Sequence, residues 1–269
     1  MLTYGLTEEQ EMIKEVARKI AEEKIRPFSA QWDEHDEHPA SAVEAMAQSD
    51  LFGVCIPEAY GGMGGGLMDL CIATEEIARV DGGVSTVYAA SFLGLLPILI
   101  DGTEEQKKKY LTRLASGKSL AAFGLTEPEA GSDAANVQLT AVKDGDYYIL
   151  NGVKHFISNG GVADIYTIVA QTNKSKGARG ISMFIVEKDH PGFTFGKKED
   201  KLGIRASQTR ELIFQDCRVH KDQLIGGKEG RGFMTVMKTF DHSRPGVAAQ
   251  AVGVAQGAYE LAVAYAHER

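Results

Sequence analysis

The sequence is poor in cysteine, proline and tryptophan. Its three cysteines, Cys55, Cys71 and Cys217, stand far apart with no CxxC pair. That excludes a disulfide framework and reads as free thiols in a reducing compartment. Net positive charge is missing too: 29 Lys and Arg against 37 Asp and Glu leave −8. Such a chain is a poor candidate for binding nucleic acid, whose phosphates demand a basic face, though a local cluster could still bind an anion. The longest apolar run, near 88–100, is broken by Ser91, Gly94 and Pro97 and is too short for a bilayer. The opening residues carry neither a basic n-region nor an apolar h-region. No export signal is therefore expected, and a cytoplasmic location is. No internal repeat or low-complexity stretch stands out.

What is present is an ordinary globular composition, 43% hydrophobic and 25% charged over 269 residues. Thr7 to Gln10 is a capping box, followed by Ile13, Val16, Ala17, Ile20, Ala21 and Ile25 at helical spacing. Pro27 ends or kinks that helix. Further helices are expected over 41–49, 67–80 and 84–100, and from a second capping box at Thr103 to about Ala115. From Ser119 the period drops to two. Strands are expected over 120–125, 137–143, 147–150, 154–158, 165–171, 181–187, 193–195 and 210–219. The helical period returns at Gly230. Helices, then strands, then a helix, without βαβ alternation, predict an α+β fold in separate domains. The expected divisions are 1–117 helical, 118–229 β, and 230–269 the first helix of a further helical unit. The last helix shows no stop signal at Tyr265 to Arg269, so a truncation is expected there.

Several short motifs fail on inspection. Gly117-Lys118-Ser119 has Thr112 where a P-loop needs glycine. The glycine cluster 61–66 precedes no βαβ unit. His35-Asp36-Glu37-His38 runs straight into Pro39, and a solvated acidic turn explains it better than a metal site. Lys174, Lys176 and Arg179 form a basic loop, either simply solvated or contacting an anion. Asp241 and Arg244, three apart on a helix, either pair with each other or face a polar ligand.

One stretch organises the remainder. Phe123 to Asp133 begins apolar and breaks into Thr126-Glu127-Pro128-Glu129-Ala130-Gly131-Ser132-Asp133. A strand that opens into hydroxyls and free N–H groups makes a wall for a polar ligand. Together with Asn151-Gly152-Val153-Lys154-His155-Phe156-Ile157-Ser158-Asn159-Gly160 and Leu202 to Thr209, it resembles the acyl-CoA dehydrogenase family of flavoenzymes. Ile56 to Gly64, Glu75 to Arg79 and Asp241 to Arg244 extend the likeness over the whole chain.

The resemblance implies an N-terminal α-helical domain, a middle β-barrel-like or orthogonal-sheet domain, and a C-terminal helical bundle in a homotetramer. It implies FAD, an acyl-CoA substrate, α,β-dehydrogenation and transfer of electrons to an electron-transfer flavoprotein. By position, Phe123, Leu125, Thr126, Gly131, Ser132, Phe156, Ile157 and Ser158 would line the flavin. Ser132, Asp241 and Arg244 would contact CoA, and Arg269 would reach the FAD of a neighbouring subunit. Ala89 and Tyr88 would sit at the bottom of the acyl pocket. The family's general base is a Glu. One of its positions corresponds to Ser243, and the commoner one lies beyond Arg269, so no catalytic residue is assignable here. An acyl-CoA oxidase, a non-oxidative member such as a desulfinase, and an inert fragment or binding paralogue are the alternatives.

Overall fold

The computed structural model describes residues 5–269; Met1 to Tyr4, on which the reading of the opening residues partly rests, lie outside it. The first capping box forms: Gln10 N–H donates to Thr7 Oγ1, and Thr7 N–H to Gln10 Oε1. It starts α1 (Glu8–Ile20), which passes into a π-turn at Ala21–Ile25 just before Pro27. A short helix absent from the sequence reading, α2 (Ser29–His35), buries Trp32. There follow α3 (Ala40–Gln48), α4 (Leu67–Ala78), α5 (Gly82–Asp101) and α6 (Glu104–Ala115). The α5 helix is apolar all round and belongs in a core. At 20 residues it is long and apolar enough to cross a membrane, which corrects the shorter run read from the sequence. It is mostly buried inside the protein. Asp81 caps it, accepting from the Gly83 and Val84 N–H groups at 2.7 and 2.9 Å.

The strands are β1 (Ala121–Gly124), β2 (Thr140–Asp144), β3 (Tyr147–Ser158), β4 (Ile165–Gln171), β5 (Ile181–Glu187), β6 (Phe193–Lys198) and β7 (Thr209–His220). The sequence reading split β3 at Gly152; it is one strand of 12 residues with irregular pairing to β7. Strand β5 takes one edge of β4 along its whole length. The other edge is shared, with β1 parallel along Ile165 to Ile168 and β2 at Gln171. The sheet therefore parts and curls between β1 and β2. The α+β class holds, with helices before and after one mixed sheet.

Helix α5 seals the free side of β1. A Cβ on Gly94 would lie 2.5 Å from the Ala122 nitrogen, so only glycine permits this approach. Ser91 Oγ accepts the Ala121 N–H at 3.0 Å, and Thr167 Oγ1 donates to the Gly94 carbonyl at 3.0 Å. The edge strand's donor is thus satisfied by a helix side chain rather than by another strand.

The chain ends in α7 (Gly232–Glu268), 37 residues long. Gly253 and Gly257, four apart, let it lie on the C-terminal end of α4. Arg79 completes that contact, donating to Glu260 at 2.6 Å and also to Glu22. Hydrogen bonds from Arg26, and then from Arg79, hold the Glu22 carboxyl down at about 2 against the opposing effect of burial. A carboxyl with a depressed folded pKa stabilises the fold above its unfolded pKa and loses that contribution as pH falls toward the folded value. Glu22→Gln is expected to flatten the loss of stability between about pH 4.5 and pH 2, measured by denaturation across that range. Farther round and along α7, Val252, Tyr259, Leu261 and Tyr265 are exposed. All three cysteines are free, and burial pushes the Cys55 and Cys217 thiols up to about 12.

Candidate functional site

The chain leaves the sheet after Gly124, at Leu125 and Thr126, and β3 holds this exit. His155 N–H donates to the Thr126 carbonyl at 2.8 Å. Lys154 Nζ donates to the Leu125 carbonyl at 3.0 Å and to Glu127 Oε1 at 2.6 Å. The Glu127 carboxylate also accepts the Gln138 and Leu139 N–H groups, at 2.6 and 3.1 Å. Glu127 and Ala130 exchange two backbone hydrogen bonds, closing a tight turn. Lys154 and Glu127 are both buried. Burial pushes the Lys154 ammonium below its ordinary value, with Glu127 opposing.

Beside this exit β3 carries a bulge. Lys154 faces Leu212 and Ile157 faces Arg210, so β3 holds one residue more than β7 between those pairs. The extra residue puts Phe156 at φ 57° and leaves the residue 63% exposed. A left-handed backbone costs a non-glycine residue about 1–2 kcal/mol. A strained aromatic held out into solvent is a feature of ligand platforms. Asn159, next in line, donates to the Val87 and Ala121 carbonyls and ties the strand end to α5 and β1.

Phe156, Ile157 and Ser158 meet Phe123, Leu125 and Thr126 around a cavity of about 170 Å³. Phe240 of α7 closes it, edge-on to Phe123 at 6.2 Å between ring centres. A second cavity of about 160 Å³ shares Ala90, Leu93 and Ser158 with the first. It lies between α5 and α7, with Leu70, Phe92, Leu96 and Val247 in its walls. Gln250 crosses from α7 to α5, donating to Thr86 Oγ1 at 2.7 Å and the Gly82 carbonyl at 3.0 Å. Among the described residues lining the two cavities there is no Asp, Glu, His or Lys.

Six residues named from the sequence thus converge: Phe123, Leu125, Thr126, Phe156, Ile157 and Ser158. Gly131 and Ser132 stand exposed on the adjoining turn, outside the cavity lining. Asp241 and Arg244 are exposed and pair with each other at 3.3 Å. Arg269 lies at the far end of α7, roughly 45 Å along the helix from Phe240 at 1.5 Å per residue. Its guanidinium rests 5.1 Å from the Tyr265 ring. Ala89 lines the second cavity, whereas Tyr88 is buried in the helical core with its hydroxyl on the Leu51 carbonyl at 2.9 Å. Lys174 of the basic loop donates to Gln138 at 3.1 Å. Asp36 of the His35–His38 stretch engages Lys198 at 2.8 Å.

The sequence reading did not single out the Lys154–Glu127 pair or Gln250. Lys154 had a signal. Tyr148, Leu150 and Lys154 share one face of β3, and that face is buried. A lysine at an inward position needs a carboxylate partner.

The chain matches the acyl-CoA dehydrogenase N-terminal domain over residues 7–118, the middle domain over 122–217 and the C-terminal domain over 230–269. It belongs to the acyl-CoA dehydrogenase family. Members are FAD-dependent oxidoreductases acting on the CH–CH group of donors. A short-chain-specific acyl-CoA dehydrogenase of Clostridium acetobutylicum is 47% identical, covering 100% of this chain and 71% of that relative. An acryloyl-CoA reductase (NADH) of Anaerotignum propionicum is 45% identical over 100% of this chain and 68% of its own length. Butyryl-CoA dehydrogenase from Megasphaera elsdenii superposes with a TM-score of 0.96 at 44% identity, covering 100% of this chain and 71% of that one. A chain in the structure of the electron transferring flavoprotein of Acidaminococcus fermentans superposes at 0.97 with 49% identity, covering 100% and 70%.

Proposed function

We propose that this acyl-CoA dehydrogenase family member seats the flavin end of FAD against the first cavity and the acyl end of a short thioester in the second. The observation that carries this is the meeting of the two cavities at Ser158. The donor set fits the flavin: an outward aromatic face at Phe156, hydroxyls at Thr126 and Ser158, and apolar walls at Phe123, Leu125 and Ile157. When bound, FAD supplies the hydride acceptor for α,β-dehydrogenation.

The chain's own part is placement. Thr126 and Ser158 would hold the flavin by hydrogen bonds from their hydroxyls, and Phe156 would offer it an aromatic surface. Phe123 and Phe240 keep water out, which strengthens those hydrogen bonds. Gly131 and Ser132 flank the flavin from the turn. Ser132, Asp241 and Arg244 meet the CoA portion at the solvent side, with the Asp241–Arg244 pair reorganising to do so. Arg269 reaches the FAD of a neighbouring subunit in a homo-oligomer. The domain divisions at 117 and 229 follow the same scheme.

The Gln250–Thr86 bridge spans the second cavity and restricts the room for a tail, which favours short chains. The short-chain-specific relative supports the same substrate class. Removal of the α-proton needs a general base, and the cavity linings hold no carboxylate. Ser243, which lines the second cavity and bonds to the Phe240 carbonyl, cannot act as one. The base comes from a segment outside the described cavity walls. Likeness to the chain in the flavoprotein structure supports an electron-transfer flavoprotein as the acceptor. The reductase relative makes the reverse direction a second reading of the same site.

The test is FAD binding followed by flavin bleaching on an acyl-CoA series. Thr126→Val and Ser158→Ala are expected to weaken FAD binding about fivefold each, the loss of one hydrogen bond of about 1 kcal/mol. Butyryl-CoA is expected to bind more tightly than long straight-chain thioesters, and Gln250→Gly to narrow that difference. Unchanged FAD binding in both hydroxyl variants would sink the assignment. Oxygen consumption without an acceptor would point to an oxidase instead.

A further inference from the structure

Neither Lys154 nor Glu127 lines the first cavity, but the Lys154 ammonium bonds to one residue that does and to the chain neighbour of another. It donates to the carbonyl of Leu125, which lines the cavity, and to Glu127, next to Thr126. Glu127 hands the restraint on to the Gln138 and Leu139 N–H groups and, through its backbone, to Ala130. On the same strand, two residues past Lys154, begin Phe156, Ile157 and Ser158, the opposite wall. One side chain therefore ties the two walls together, and the His155 to Thr126 hydrogen bond sits between them.

A buried ion pair is an expensive way to close a loop, since desolvating two charges offsets much of their attraction, and apolar replacements often serve as well. What an apolar pair lacks is direction. An ammonium fixes the Leu125 carbonyl by a hydrogen bond, and that sets the peptide from which Thr126 projects.

We propose that Lys154 and Glu127 are positioning residues for the cofactor, setting the Thr126 side of the cavity against the Phe156–Ser158 side. The proposal rests on the placement of FAD in the first cavity. It names neither residue as a contact of the cofactor. Both act through Leu125 and Thr126.

The experiment compares Lys154→Met, Glu127→Gln and the double variant in the FAD-loaded protein. Melting temperature, FAD dissociation constant, visible flavin spectrum and flavin midpoint potential are measured for each. The double variant removes both charges and keeps an amide oxygen for the Leu139 N–H. It is expected to recover most of the melting temperature lost in the single variants. Its FAD affinity is expected to stay at least tenfold below wild type, with the spectrum and potential still displaced. If affinity, spectrum and potential return together with the melting temperature, the pair is structural only and the proposal fails. If Lys154→Met does not fold, the double variant alone decides. Thr126→Val and Ser158→Ala, run beside them, separate the two claims. If those leave FAD binding unchanged, the placement of FAD is wrong. If they weaken it while the pair variants match wild type, only the positioning role is lost.

Discussion

Lys154→Ala is expected to lower the melting temperature by roughly 10 °C, the larger of two stability effects built into this fold. The Lys154 ammonium is fully buried and sits 2.6 Å from the buried Glu127 carboxylate. Removing the lysine does not merely delete a favourable pair. It leaves a carboxylate away from water with, among the described residues, two backbone N–H groups as its remaining partners, and it opens a void the length of the lysine stem. Breaking a buried pair from one side costs about 3–5 kcal/mol. Lys154→Met with Glu127→Gln is expected to cost far less, because no charge is left stranded. Thermal unfolding of the variants and wild type checks this. A single variant that melts with wild type would show that water reaches Glu127.

The second large effect is at Gly257. A Cβ there would overlap the Arg79 carbonyl oxygen, which is backbone and cannot rotate away. Gly257→Ala is therefore expected to push α7 off α4 and to cost up to about 3 kcal/mol, as overpacking does. The Arg79–Glu260 hydrogen bond would stretch with it. Gly246→Ala, on the same helix, is the internal control. Nothing lies within 4 Å of the Cβ it would add. That substitution should stabilise by about 0.8 kcal/mol, the ordinary preference of a helix for alanine over glycine. The same chemical change thus carries opposite signs 11 residues apart. Equal effects at the two positions would mean that α7 does not rest on α4 as described.

Much of the secondary structure could be read from local pattern. Both capping boxes at Thr7 and Thr103 form. The strands read over 165–171 and 181–187 are β4 and β5. The errors have physical causes. Ser29–His35 was missed because it is short and follows a proline, and it exists because Trp32 finds a buried seat. Gly152 looked like a turn between two strands. It is instead a glycine at φ 139° inside β3, where a Cβ would crowd Leu139. A break in alternation and a close approach of backbone leave the same mark on a sequence.

By itself the sequence determined most of the order of helices and strands, the acidic net charge and the family, because these follow from composition, local periodicity, capping and motifs. It named six of the nine residues around the first cavity, since their motifs lie at the ends of β1 and β3. Only the tertiary structure decided which side chains meet. It turned Tyr88 into the core, with its hydroxyl on the Leu51 carbonyl. It set Lys154 against Glu127, 27 residues away, and brought Gln250 across to Thr86. These are contacts between distant segments, and their geometry depends on how α5, α7 and the curled sheet pack. Pairing across a fold leaves only a faint trace in local pattern: here, a single lysine on the buried face of a strand.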